Sequence, residues 1–180
     1  MPTIVVPYRG DAKARLPAAI RAAAAIAMLG DVVEAACEVG PVLVVTDDLT
    51  VVPKGADRIP DPGGGLGAAV LAGLACVDGH ALVVNADLPC ATPSAIGRLA
   101  SAGLALVEAA DGTTNALSLP DPATFAPFYG PGSAARFRAH AAFATVQIPE
   151  LEDDVDTGAD LERLALLLGP RTRALLAVPA

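Results

Sequence analysis

Ala81-Leu82-Val83-Val84-Asn85-Ala86-Asp87-Leu88-Pro89 carries an unbroken apolar run into a carboxylate and then a Leu-Pro stop. Four apolar residues in a row, with no polar alternation, describe a strand buried on both faces, as in a parallel sheet covered by helices on either side. Asp87 then emerges past the carboxyl end of that strand. In an open α/β sheet the ligand crevice lies there, and a carboxylate in it suits a hard cation carrying a phosphorylated substrate. The competing role for Asp87 is to cap a turn or the helix that follows.

Working outward, residues 3–7 and 41–46 are apolar runs of the same kind, and the alanine-rich segment 17–37 between them sets Ile20, Ala24, Ala27, Met28, Val32, Val33 and Ala36 at helical spacing. Strand, crossover helix and strand make a right-handed parallel unit. Gly30 is expected to divide the helix. A short strand at 57–60 precedes the glycine-rich turn 61–67, which leads into a helix over 68–77. Thr92-Pro93-Ser94 starts another helix with proline at its favoured first position. A strand over 102–109 turns through residues 111–115 into 116–119; a helix runs from Ser133 to about 143, a last strand spans 145–148, and a helix covers 161–168. The pattern predicts one domain over residues 1–180, a three-layer α/β/α fold on a mostly parallel sheet.

Composition narrows the partners. The 180 residues are 53% hydrophobic but only 3% aromatic, with no tryptophan and a net charge of -8, which excludes base-stacking platforms and a basic nucleic-acid surface. Cys37, Cys76 and Cys90 lack metal-ligand spacing and read as reduced thiols, the first two as small packing residues. Nothing at the amino terminus resembles a signal peptide, and no apolar run reaches the roughly 20 residues of a membrane span. A cytoplasmic protein with no membrane partner is expected, with a homodimer left open.

An acidic chain binds an anionic substrate only through local cations, glycine-rich backbone or a metal, and the sequence offers candidates for each. After the first strand, Arg9, Lys13 and Arg15 stand in a loop that faces the crevice, where Lys13 and Arg15 act as phosphate clamps unless the loop's charges are merely solvated. Gly63-Gly64-Gly65-Leu66-Gly67 opens a helix without the P-loop or dinucleotide spacing, so it is either a backbone cradle or a flexible turn. Gly112-Thr113-Thr114-Asn115 gathers hydroxyl and amide groups at a hairpin turn, and Gly130-Pro131-Gly132-Ser133 opens a helix as either an anion nest or an ordinary N-cap. His140 is a surface or packing histidine. Glu152-Asp153-Asp154-Val155-Asp156 packs four acids into five positions. In extended chain Asp154 and Asp156 share a face, and Thr157 with Asp160 then forms a capping box.

In this order, with Lys13-Ala14-Arg15-Leu16, Ala86-Asp87-Leu88-Pro89, Gly130-Pro131-Gly132-Ser133-Ala134-Ala135-Arg136 and Asp154-Val155-Asp156-Thr157 among them, these stretches resemble the CofC/FbiD guanylyltransferases of coenzyme F-420 biosynthesis across the whole chain. The resemblance implies a GT-A-like nucleotidyltransferase fold. It also implies transfer of GMP from GTP to 2-phospho-L-lactate or phosphoenolpyruvate, with release of pyrophosphate. Lys13, Arg15 and Asp87 would be catalytic, with Asp87, Asp154 and Asp156 holding Mg²⁺. Gly63, Gly64, Gly65 and Leu66 would lie along the nucleotide, and Thr114, Asn115, Gly130 and Ser133 would bind the phospho-acid. The chain departs from the family pattern at Gly67, where asparagine is usual, and at Arg9, near a usual lysine. The alternatives are a molybdenum-cofactor-type or other nucleotidyltransferase of the same fold, and a non-catalytic nucleotide-binding relative.

Overall fold

The computed structural model describes residues 1–10 and 15–176. In chain order the elements are β1 (Thr3–Pro7), α1 (Arg21–Cys37), β2 (Val42–Val45), β3 (Ala56–Ile59), α2 (Leu66–Leu74), β4 (Ala81–Val84), α3 (Pro93–Ala100), β5 (Ala105–Glu108), β6 (Thr114–Leu119), α4 (Ser133–His140), β7 (Ala144–Thr145), α5 (Pro149–Glu152), α6 (Gly158–Arg163) and α7 (Pro170–Leu176). Among the described residues seven strands form one sheet in the order β3-β2-β1-β4-β6-β5-β7. β1 runs parallel to β2 and β4, β2 to β3, and β5 to β7, while β6 is antiparallel to both neighbours.

The apolar run that predicted the fold is β4, and all four of its residues are fully buried. Side chains alternate across a strand, so Leu82 and Val84 join Ile4 and Val6 against Leu29, Val32 and Val33 of α1 and Ile96 and Leu99 of α3. Val83 and Val5 face the other way, onto Val70 and Leu74 of α2 and Phe137 of α4. Each such side chain contributes about 1.5–3 kcal/mol by leaving water, and two-sided burial explains why β4 has no polar position. Gly73 lets α2 lie directly on β1, since a side-chain carbon there would collide with Val5.

Several expectations change in detail. Gly30 does not divide α1, which runs unbroken; its missing side chain is the space taken by Arg171 of α7, whose Cδ would lie 2.5 Å from a Cβ at that position. The last strand is only Ala144–Thr145, because Pro149 opens α5 and the chain has turned by Ile148. The segment expected to be helical over 161–168 is helical only as Gly158–Arg163. Cys37 and Cys76 are exposed rather than packed, the first at the last residue of α1 and the second just beyond α2; Cys90 is the buried thiol, and burial pushes it up to about 11. His140 is exposed and packs edge-on against Phe128. Among the described residues no helix is long and apolar enough to cross a membrane.

Candidate active site

Past Val84 the chain leaves β4 and passes over the carboxyl end of the sheet. There the Val155 amide donates to the Asp87 carbonyl at 3.0 Å. Val155 is fully buried among Leu16, Cys90, Leu161 and Leu164, so its neighbours Asp154 and Asp156 are turned together away from that cluster. One carboxylate oxygen from each of Asp87, Asp154 and Asp156 lies within 4.8 Å of the others, and all three residues are half-buried. The structure thus brings together the three acids that the sequence singles out for a metal. Like charges this close disfavour their own ionised forms unless a cation compensates, and an all-oxygen donor set suits a hard divalent ion.

The chain immediately beyond is pinned. Thr157 Oγ1 accepts from the Asp160 amide, and the Asp160 carboxylate accepts from the amides of Asp156 and Thr157, so the expected capping box is formed. Burial alone would raise the Asp160 carboxyl, but these hydrogen bonds and that of the Thr157 hydroxyl outweigh it and hold the group below the usual carboxylate range. Arg15 reaches the cluster, its Nη2 3.7 Å from Asp156 Oδ2; being 75% exposed, it adds little to stability. Lys13 lies outside the described residues.

Behind Asp87 the polar residues of the hairpin are buried rather than displayed. Asn115 is 2% exposed and its Nδ2 donates to the carbonyls of Leu151 and Glu152 at 3.1 and 3.0 Å, tying β6 to the segment that leads to Asp154. Asn85 Nδ2 donates to the Thr114 carbonyl. Ser133 Oγ donates to Thr114 Oγ1 at 3.0 Å, both side chains being essentially inaccessible. Gly132, at φ 70°, takes the cap position of α4, so Ser133 is not the N-cap; its amide and that of Ala134 donate to the carbonyls of Gly130 and Gly112. The sequence missed Asn85, although it stands in the stretch that decides the fold.

Gly63, Gly64 and Gly65 have φ of 75°, 85° and 96°, a backbone that side chains rarely adopt, so the three glycines are required by the turn that starts α2. Gly64, Gly65 and Leu66 line a cleft of about 690 Å³ together with Gly67, Pro127, Tyr129 and Gly130. Arg9 extends to the same place, its Nη1 4.0 Å from where a Cβ on Gly65 would stand. Gly67, the departure from the family pattern, has a direct cause: a Cβ there would lie 2.6 Å from the Cβ of Pro127. The glycine-rich turn and the Gly130 turn therefore share one cleft, and Pro127 closes the space between them.

The sheet thus carries three carboxylates beyond its central strand, and a glycine-lined cleft opens where α2 starts. Residues 10–144 match the family of MobA-like NTP transferase domains. The chain belongs to that family. It is 35% identical to the phosphoenolpyruvate guanylyltransferase of Streptomyces coelicolor over 97% of this chain and 95% of that one. It is 40% identical to the protein of the same name from Geodermatophilus obscurus, covering 84% of this chain and 77% of the other. A solved structure described as a nucleotide-diphospho-sugar transferase, from Desulfovibrio desulfuricans, shares the fold with a TM-score of 0.70 at 17% identity, over 98% of this chain and 95% of its own. The protein is a nucleotidyltransferase. The MobA-like match ends before Asp154 and Asp156, so those acids join the family's core through the Val155 bond to Asp87.

Proposed function

We propose that the chain transfers a guanylyl group from GTP to phosphoenolpyruvate, releasing pyrophosphate, as a step toward coenzyme F-420. The observation that carries this reading is the convergence of Asp87, Asp154 and Asp156 at the end of β4; the name that these relatives share supports guanine and the three-carbon acceptor.

In the proposed reaction an oxygen of the acceptor's phosphate attacks the α-phosphorus of GTP. The bond from that phosphorus to the bridging oxygen breaks, and pyrophosphate leaves with the electron pair. The attacking oxygen is already ionised at neutral pH, so no general base is needed, which fits a site without a histidine dyad. The barrier is that of bringing polyanions together in line, and positioning with charge neutralisation lowers it. Asp87, Asp154 and Asp156 would hold Mg²⁺, which supplies that neutralisation when bound. Arg15, with Lys13, attracts the triphosphate; Gly63, Gly64, Gly65 and Leu66 let the nucleotide approach the backbone closely. The Gly130 turn, backed by the Thr114 and Ser133 hydroxyl pair and by Asn115, seats the phospho-acid.

A nucleotide and acceptor panel tests this. GTP with phosphoenolpyruvate is expected to give pyrophosphate and a guanylylated acid of matching mass. Turnover only with 2-phospho-L-lactate would reassign the acceptor, turnover with CTP or ATP in preference to GTP would reassign the base, and nucleotide binding without any pyrophosphate would make the chain a non-catalytic relative.

A further inference from the structure

Arg136 invites reading as an anion ligand, since it stands beside the proposed acceptor turn. Its geometry says otherwise. Nε and Nη2 both donate to the Phe128 carbonyl, at 3.2 and 2.6 Å, and Nη1 donates to the Pro131 carbonyl at 2.6 Å. Nη2 also lies 3.4 Å from the carbonyls of Tyr129 and Gly130. All three nitrogens of the guanidinium are thus directed at one turn of backbone. A backbone bond from the Ser133 amide to the Gly130 carbonyl closes that turn, but Gly130 and Gly132 sit at φ 108° and 70°, and glycine gives up more chain entropy than any other residue when it is ordered, so the bonds from Arg136 offset a costly conformation. A cation one turn into a helix also opposes the macrodipole, so the placement of Arg136 on α4 is paid for by the carbonyls it ties.

We propose that Arg136 is a positioning residue that ties residues 128–131 into the shape in which Gly130 meets the acceptor and Pro127 seats on Gly67, and so sets acceptor affinity without touching the acceptor. This rests on the reading of the Gly130 turn as the acceptor site. The tie needs a planar fork that spans several carbonyls, so lysine, a single point charge, does not replace it.

The test compares wild type, Arg136→Ala and Arg136→Lys in two readouts. Hydrogen exchange at the amides of residues 129, 130 and 132 is expected to quicken in both variants with no substrate present, while thermal stability stays near wild type because Arg136 is exposed. At saturating GTP, KM for phosphoenolpyruvate is expected to rise about tenfold or more in both, a misplacement effect, with kcat much less affected. Millimolar guanidinium ion should restore part of the loss in Arg136→Ala and none in Arg136→Lys. Unchanged exchange would overturn the tie. Quickened exchange with unchanged KM would overturn its link to the acceptor, and full recovery in Arg136→Lys would show that charge alone acts. A wild type silent with GTP and phosphoenolpyruvate would instead sink the proposed reaction, with the exchange result still deciding the tie.

Discussion

Asp31 and Asp87 are aspartates of one fold, the first on α1 and the second on the segment that follows β4, and they answer to different demands. Asp31 is 4% exposed, and its carboxylate accepts from the amides of Arg171 and Thr172 at 2.9 Å and from the Thr172 hydroxyl at 2.6 Å. It caps α7 and holds that helix on α1, where Gly30 and Gly169 leave room for the contact. Asp87, half-buried, is instead carried to the end of β4 and set against Asp154 and Asp156. A carboxylate surrounded by donors belongs to the architecture, whereas three carboxylates gathered onto one another form a donor set that a hard cation fits. Burial alone would have ranked them the wrong way, since the more buried acid is the structural one.

Substitutions should separate the two regions. The largest effect is expected at the cluster: Asp87→Asn or Asp156→Asn should lower kcat by about 10²-fold or more, as loss of one electrostatic stabiliser does, with little change in the urea midpoint. A variant that kept its turnover would break the distinction. Asp31→Ala should do the reverse, destabilising by about 2–3 kcal/mol through a lost cap and orphaned donors, as read from urea unfolding, while the folded fraction turns over normally. Thr157→Ala lies between them. It removes half of the capping box and should cost about 1 kcal/mol, and because that box pins the chain beside Asp156 it should also raise the Mg²⁺ concentration needed for half-maximal rate.

The smallest effect concerns a third place, the far end of β4, where His80 Nε2 pairs with Ser118 Oγ at 3.0 Å. Burial holds this imidazole below its ordinary range, so the unfolded chain takes up the proton first. Its contribution to stability is fully present above the ordinary imidazole range and is lost as pH falls through that range toward the folded value. A modest drop in the unfolding midpoint on acidification, absent in His80→Gln, would confirm the sign; an equal drop in both would place the cause elsewhere.

What could be read from sequence was what depends on neighbours along the chain. The uniform burial of β4 shows in four apolar letters, the capping box in Thr157 and Asp160, and the shared face of Asp154 and Asp156 in the valine between them. Contacts between distant segments left no such trace. Gly30 looks like a helix breaker until Arg171, more than a hundred positions later, is seen to fill its space. Gly67 looks like a lost side chain until Pro127 is found against it. Ser133 looks like a cap or an anion donor, yet its hydroxyl is turned inward onto Thr114, and the arginine three residues on turns back onto the chain that precedes it. Spacing reports local geometry, and these roles are set by tertiary packing.

Pyrophosphate release from GTP and phosphoenolpyruvate with Mg²⁺, measured side by side for wild type, Asp87→Asn and Asp31→Asn at a temperature where all three are folded, tests the central claim most directly. Release in wild type and Asp31→Asn that is lost in Asp87→Asn is the predicted result. Equal rates in wild type and Asp87→Asn, or loss in the folded Asp31→Asn alone, would contradict it.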